Sequence, residues 1–205
     1  MITCPEGLGG RDPESLVEEA VRGGADVVQL RDKNADDRTL LRQAKSLLSL
    51  TRRLGVPLIV NDRVAVAKEA QADGVHLGQE DGSLDHARSV LGEEALIGRS
   101  THSPEQAMQA AREGFDYIGI GPVYPTPTKA GRQAVGLDLV RFAAQSLTLP
   151  FVAIGGIDET NLGRVLEAGA ERVAVVRAVM ARKDPREAAA RLRAIIKEHL
   201  IKEPR

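Results

Sequence analysis

Short apolar runs alternate with longer amphipathic segments along the whole chain. The runs are rich in Val and Ile and occupy positions 27–30, 57–60, 75–77, 95–98, 117–120, 150–154 and 173–176, with a shorter run at 2–4. Between them, apolar residues recur with helical spacing over about 13–23, 36–54, 62–71, 83–91, 103–113, 137–147, 158–168 and 185–199. Runs of this length and composition are typical of buried parallel strands. The pattern therefore predicts eight strands that alternate with eight helices.

Local signals mark the ends of these elements. Gly24-Ala25-Asp26 and Gly169-Ala170-Glu171 each stand between a helical segment and an apolar run, where a glycine commonly ends a helix in a left-handed turn. At the other ends, Ser103 is expected to cap the helix of 103–113 and Asp158 the helix that starts at 159.

The alternation of strands and helices predicts a single α/β domain over positions 1–205. Eight such units close naturally into a (β/α)8 TIM barrel, in which functional residues follow the carboxyl ends of the strands. The alternative is an open doubly wound sheet, which concentrates its functional residues at one switch point. Because polar motifs follow nearly every apolar run of this chain, the barrel is favoured.

Composition excludes several classes of function. The 205 residues carry a formal net charge of −1, which argues against nucleic-acid binding and against a membrane-binding surface. Cys4 is the single cysteine, so neither an intramolecular disulfide nor a cysteine zinc cluster is expected. No apolar run approaches the roughly 20 residues that span a bilayer, and no signal-peptide pattern is visible. We expect a cytoplasmic protein with small-molecule partners; homo-oligomer formation is left open.

Cationic and amide side chains follow the apolar run of 27–30. Gln29, Arg31 and Lys33 alternate with Leu30 and Asp32, so in an extended segment the three share one side. Arg offers a planar fork to phosphate and Lys offers a mobile point charge. The pattern predicts phosphate binding, with a solvated charged strand end as the alternative.

Two aspartates follow the next two apolar runs. Asp62 follows Asn61 and begins the helical segment of 62–71, and Asp81 follows the run of 75–77. Each aspartate can simply cap the next helix. Two carboxylates from neighbouring strand ends can instead hold one Mg²⁺, with water and phosphate oxygens as its other ligands. Near the cations that follow 27–30, metal binding is the favoured interpretation.

The longest connection, 121–136, is rich in Gly, Pro and Thr. Thr126, Thr128 and Lys129 surround Pro127, so hydroxyl groups and an ammonium can close over a phosphorylated ligand. Long loops in compact domains are often binding loops or lids. Ser100, at the end of the preceding apolar run, is a further candidate phosphate ligand.

Two later segments predict a second phosphate site. Gly155-Gly156 lies between an apolar run and a helical segment, where glycines let the backbone approach a phosphate and the helix N-terminus supplies N–H donors. Arg177 follows the last run. In barrels, phosphate sites are frequently built by the loops after the last two strands.

Together these motifs resemble the thiamine phosphate synthase (thiamine-phosphate pyrophosphorylase) family. The matching words lie at 29–33, 61–63, 74–81, 98–100, 121–129 and 153–157, in the family's order and spacing. Two of them, VHLGQED and GPVYPTPTK, are long and specific. The resemblance implies a (β/α)8 barrel and a transferase. Its members join hydroxymethylpyrimidine diphosphate to thiazole phosphate with Mg²⁺, giving thiamine phosphate and diphosphate.

The resemblance also implies roles for the first group of residues. The pyrimidine diphosphate would be bound by Gln29, Arg31, Lys33 and Asn61. Asp62 and Asp81 would ligate Mg²⁺. Loss of diphosphate would be largely dissociative, so the protein's main task is to stabilise charge on the leaving group.

The second group would hold the leaving group and the other substrate. Ser100 and Lys129 would bind the diphosphate and, with Arg31 and Lys33, stabilise its charge. Thr126 and Thr128 would lie beside the thiazole substrate. The thiazole phosphate would be bound by Gly156 and by the backbone near Val176 and Arg177.

The chain departs from the family pattern in two places. The family's first strand is usually longer than Met1–Cys4, so the strand is shortened here or the natural start lies upstream. The family usually has Ser-Ala-Ile where this chain has Arg177-Ala178-Val179. An arginine there would either strengthen phosphate binding or fill the pocket.

Two rival functions fit parts of the same pattern. A thiazole tautomerase, from a related barrel family, needs a general acid/base instead of a diphosphate–metal site. A non-catalytic sensor of a phosphorylated ligand would keep the cations without two metal-ready aspartates. The synthase is favoured because Arg31, Lys33, Asp62, Asp81 and the 126–129 loop are all present.

Overall fold

The protein is an α/β chain whose described strands are parallel. The computed structural model describes residues 1–4, 10–127 and 133–202. The chain forms two compact units, one of Met1–Ile97 with Val176–Ala190 and one of Gly98–Val175 with Arg191–Arg205. Each unit contains strands and helices that alternate in sequence, as the apolar pattern predicts.

The first unit is built on three strands. They are β1 (Val28–Leu30), β2 (Leu58–Asn61) and β3 (Gly74–Leu77). Its helices are α1 (Pro13–Arg22), α2 (Asp37–Leu54), α3 (Val64–Ala70), α4 (Leu84–Leu91) and α8 (Arg177–Met180). Strand β1 pairs with β2 in the register Val28↔Leu58, and β2 pairs with β3 in the register Ile59↔Gly74. The strands are almost fully buried, which explains their continuous apolar character.

The second unit contains most of β4 (Leu96–Thr101), which starts in the first unit, and β5 (Tyr117–Ile120), β6 (Phe151–Ile154) and β7 (Val173–Ala174). Its helices are α5 (Pro104–Glu113), α6 (Gly136–Ser146) and α7 (Leu162–Glu167), and α9 (Pro185–Lys202) begins in the first unit and ends in the second. Strands β4 to β7 pair in sequence order, all in parallel. The carboxyl ends of each unit's strands therefore carry the polar motifs.

The first predicted strand is reduced to a single bridge. Ile2 forms an isolated parallel bridge with Gln29, and the Thr3 amide donates to the Gln29 carbonyl at 2.8 Å. The described residues thus form seven strands, one fewer than predicted. Pro5 follows this segment directly, and proline donates no ladder hydrogen bond, so the bridge cannot be extended into a regular strand past Cys4.

Two helix predictions are wrong in detail. Asp158 does not cap a helix at 159; its carboxylate accepts from the amide and hydroxyl of Thr160, at 2.9 and 2.6 Å, and α7 begins at Leu162 with Asn161 at the cap position. This local turn competes with helix formation. Helix α8 was not predicted at all. Ser103 does cap α5, accepting from the Gln106 amide at 3.3 Å.

Among the described residues, no helix combines the length and the apolar composition needed to cross a membrane.

Candidate active site

The loop after β1, residues 31–36, is shaped by its own aspartate. Asp32 Oδ1 accepts from the amides of Asn34 and Ala35, both at 3.1 Å, and its Oδ2 accepts from Gln43 Nε2 at 3.1 Å. The Arg31 amide donates to Thr3 Oγ1 at 3.0 Å. Arg31 and Lys33, which the sequence predicts to bind phosphate, therefore belong to a loop that is held by hydrogen bonds.

Asp62 directly follows β2 and has an unusual backbone conformation. Its φ is 64°, in the left-handed region that aspartate and asparagine tolerate better than most residues. Its amide donates to the His76 carbonyl of β3 at 2.8 Å. Helix α3 has Arg63, not Asp62, at its cap position, and no side chain caps it. The interpretation of Asp62 as a helix cap is therefore wrong.

Asp81 is not a helix cap either. Its Oδ2 accepts from the Gly78 amide at 2.7 Å, while Ser83 caps α4 by accepting from the His86 amide at 3.2 Å. The side chain is thus fixed at the end of β3 by a backbone donor. Neither Asp62 nor Asp81 therefore caps the helix that follows it, which was the alternative to a role as a ligand.

The two carboxyl groups lie together, and Asp81 perturbs Asp62. The pKa of Asp62 is raised to about 6, chiefly by burial, then by a hydrogen bond to Asp81 and by the charge of Asp81. The charges of Lys33 and Arg31 act in the opposite direction. Lys33 Nζ lies 3.6 Å from Asp62 Oδ2, with the lysine side chain 57% exposed and the aspartate 22%. The negative charge of this half-buried carboxylate pair is only partly offset by Lys33 and Arg31, so the pair favours binding of a further cation.

The two carboxyl groups suit a hard divalent cation whose remaining ligands are water or substrate oxygens. Asp62 and Asp81 offer carboxylate oxygens, the ligand type that Mg²⁺ prefers. Over 1–4, 10–127 and 133–202, no group of three or more His, Cys, Asp or Glu side chains could hold a metal. Two carboxylates are enough for a candidate Mg²⁺ site, because Mg²⁺ is usually held by one or two carboxylates together with water and substrate phosphates.

In the second unit, the segment after β5 is anchored to the end of β6. The Val123 amide donates to the Ile154 carbonyl at 2.8 Å and the Tyr124 amide to the Gly155 carbonyl at 3.0 Å. Ser100 is buried in β4, and Thr126 is half-buried in the anchored segment. Thr128 and Lys129 lie outside the described residues.

The Gly155-Gly156 pair is needed for packing. Both residues have positive φ, 101° and 65°. A Cβ on Gly155 would lie 2.5 Å from Pro122 Cα, and one on Gly156 would lie 2.7 Å from Tyr124 Cβ. Because α7 begins only at Leu162, the predicted arrangement of a glycine pair directly before a helix N-terminus is wrong. The Gly156 carbonyl accepts from the Asn161 side chain at 2.8 Å.

Val176 and Arg177 open the short helix α8. The Val176 carbonyl accepts from the Met180 amide at 2.9 Å, and Arg177 has an exposed side chain. Arg11 fixes the far end of this helix by donating to the carbonyls of Met180, at 2.7 Å, and Arg182, at 2.6 Å. Helix α8 is therefore held in place at its carboxyl end by Arg11.

Two residues inside the motifs received no role from the sequence. The Tyr124 hydroxyl is buried without a hydrogen-bond partner in the part of the chain that the structure describes. Buried tyrosine hydroxyls usually have a partner, so this one is a candidate ligand contact. Arg63 donates to the Ala35 carbonyl at 3.0 Å and pairs with the Asp37 carboxylate. The sequence draws attention to Tyr124 and Arg63 only because each lies within a motif that resembles the family.

The chain is similar to proteins of one known family. The model of the TMP-TENI family, thiamine monophosphate synthase, matches residues 1–179. The thiamine-phosphate synthase of Gloeobacter violaceus is 54% identical over 170 residues, covering 83% of this chain and 50% of that protein. The thiamine-phosphate synthase of Thermus thermophilus is 51% identical over 177 residues, covering 86% and 85%.

A solved structure is also similar to this chain. The thiamine phosphate pyrophosphorylase from Pyrococcus furiosus superposes with a TM-score of 0.88 at 39% identity, covering 97% of this chain and 95% of that one. The chain spans about half the length of several of the curated relatives it matches. The family match covers most of the chain, and the chain therefore belongs to the thiamine monophosphate synthase family.

Proposed function

We propose that the protein is a thiamine-phosphate synthase, which joins hydroxymethylpyrimidine diphosphate to thiazole phosphate. The names of its relatives support this activity. The observation that carries the proposal is the Asp62–Asp81 carboxyl pair with Lys33 Nζ 3.6 Å from Asp62. A (β/α)8 barrel is the fold we propose, supported by family membership and by the Ile2–Gln29 bridge.

The proposed reaction breaks one bond and forms one bond. The bond between the pyrimidine methylene carbon and a diphosphate oxygen breaks, and its electron pair leaves with the diphosphate. The thiazole nitrogen then donates its electron pair to the methylene carbon. No protein nucleophile is required, so the protein must bind, orient and stabilise charge.

The residues of the first unit suit the leaving group. Arg31 presents a planar guanidinium to phosphate oxygens and Lys33 a point charge, and both stabilise the departing diphosphate. Gln29 and Asn61 supply amide hydrogen bonds to the same substrate. Asp62 and Asp81 would hold Mg²⁺, which when bound neutralises diphosphate charge.

The remaining site residues stay predictions. They are Ser100, Thr126, Thr128, Lys129, Gly156, Val176 and Arg177. Ser100 and Lys129 would bind the diphosphate, and the others the thiazole substrate. The burial of Ser100 and the exposure of Arg177 are compatible with these roles. With Cys4 as the single cysteine, a reducing cytoplasmic location is part of the same proposal.

Substitution of one carboxylate tests the metal–diphosphate assignment. Asp81→Asn keeps an oxygen that can accept from the Gly78 amide but removes the charge, so the fold should be retained. We expect kcat to fall on the order of 10²–10³-fold, with a higher Mg²⁺ requirement. Asp85→Asn, in the exposed first turn of α4, is the matched control and should behave as the unaltered protein. An Asp81→Asn enzyme with unaltered rate and Mg²⁺ dependence would refute the assignment.

A further inference from the structure

Arg63 connects two loops that follow neighbouring strands. It lies directly after Asp62 at the end of β2, yet its guanidinium reaches the far end of the loop after β1. Nη2 donates to the Ala35 carbonyl at 3.0 Å, and Nη1 pairs with the Asp37 carboxylate at the start of α2. Its side chain is two-thirds buried, at 33% exposure. One side chain thus joins the segment that carries Asp62 to the segment that carries Arg31 and Lys33.

The charge of Arg63 is not directed at the carboxyl pair. The guanidinium is instead satisfied by Asp37 and a backbone carbonyl. Such an arrangement suits a structural brace better than a ligand for phosphate.

The loop after β1 needs such a brace. Its internal turn is held by Asp32, which accepts from Asn34, Ala35 and Gln43. These bonds set the shape of the loop and tie it to α2, but none of them reaches β2 or Asp62. Lys33 is more than half exposed and contacts Asp62 only through a 3.6 Å ion pair, which is too weak to fix the loop.

We propose that Arg63 is a positioning residue, which holds the loop after β1 so that Lys33 and Arg31 face the Asp62–Asp81 pair. It acts through these two cations and touches no substrate. The proposal rests on the synthase function proposed above, because the cations are positioned for the diphosphate of the pyrimidine substrate.

Three variants test this role. Arg63→Gln removes the positive charge that pairs with Asp37 and leaves a single amide group as donor. Arg63→Lys keeps a positive charge that can pair with Asp37. Lys45→Ala is the matched control, because the Lys45–Glu69 ion pair, at 3.8 Å, also joins α2 and α3 but lies away from the loop. Each is compared with the unaltered protein for kcat, for KM of both substrates, for Kd of inorganic diphosphate with Mg²⁺, and for amide hydrogen exchange of residues 31–37.

The expected result is a selective loss. Arg63→Gln should raise KM for the pyrimidine diphosphate and Kd for inorganic diphosphate about tenfold, as for loss of a charged hydrogen bond. It should leave KM for thiazole phosphate unchanged and accelerate exchange in 31–37. Arg63→Lys should recover most of the affinity, and Lys45→Ala should change neither quantity.

Two results would overturn the proposal. One is faster exchange of 31–37 in Arg63→Gln with unchanged diphosphate binding, which would make the brace purely structural. The other is unchanged exchange, which would remove the brace itself. Because hydrogen exchange and diphosphate binding need no turnover, they report on Arg63 even if the unaltered protein makes no thiamine phosphate, a result that would count against the proposed function alone.

Discussion

Asp62 combines an unusual backbone conformation, a largely buried side chain and a perturbed pKa. It occupies the left-handed region at φ 64°, is mostly buried, and has its pKa raised to about 6 by burial and by Asp81. The folded state therefore holds the proton between about pH 4 and pH 6, where the unfolded chain has lost it. In that window the group's contribution to stability falls as the pH rises, and above about pH 6 its destabilising effect is complete.

Asp62→Asn should therefore stabilise the metal-free protein at neutral pH. Asparagine tolerates the left-handed backbone as well as aspartate does, so only the charge is removed. Allowing for partial exposure, we expect a gain of roughly 1–2 kcal/mol in the free energy of unfolding above pH 6, and almost none at pH 4.

Denaturant unfolding in chelator, at pH 4, 5, 6 and 8, measures this difference. A variant that is less stable than the unaltered protein at pH 8 would contradict this expectation. It would show that neighbouring groups already stabilise the charged Asp62 carboxylate in the metal-free protein. The same variant should lose stabilisation by added Mg²⁺, because a ligand stabilises only the state that binds it.

At the scale of elements, close packing of neighbouring strands depends on small residues. Gly74 begins β3, and a Cβ there would lie 2.0 Å from the Leu96 carbonyl oxygen of β4, a backbone atom that cannot rotate away. Gly74→Ala should therefore destabilise the protein by about 2–3 kcal/mol through forced backbone movement. Thermal or denaturant unfolding measures the loss.

Gly163→Ala is the control for that substitution. Gly163 lies within α7, and no atom outside its immediate neighbourhood lies within 4 Å of its added Cβ. Alanine is favoured over glycine in a helix by up to about 1 kcal/mol, so this variant should be neutral or slightly more stable. Equal stability of the two variants would contradict the strand-packing argument.

The elements themselves were largely predictable from the apolar pattern. Helices such as α2 and α5 extend over several turns, so the spacing of their apolar residues and their capping residues can be recognised in the sequence. Helix α8 has only four residues, too few to show a period, and it depends on tertiary partners such as Arg11. Helix α7 starts late because the Asp158–Thr160 turn, a local competitor, occupies its predicted first turn.

At the scale of the whole molecule, the sequence located the candidate residues but not their roles. Whether Asp62 and Asp81 cap helices or face one another is decided by the loops after β2 and β3, which local propensity does not specify. The Tyr124 hydroxyl, which has no hydrogen-bond partner among the described residues, and the contacts of Arg63 likewise depend on chain segments that meet only in the fold. Family membership supplies the activity that we propose, and the carboxyl pair supplies its physical basis.

The most direct test is a coupling assay with the unaltered protein. Purified protein is incubated with hydroxymethylpyrimidine diphosphate and thiazole phosphate, with Mg²⁺ or with chelator, and thiamine phosphate and diphosphate are quantified. We predict equal amounts of the two products with Mg²⁺, and almost none in chelator. Folded protein that forms no thiamine phosphate with Mg²⁺, or that isomerises a thiazole carboxylate phosphate instead, would contradict the proposed function.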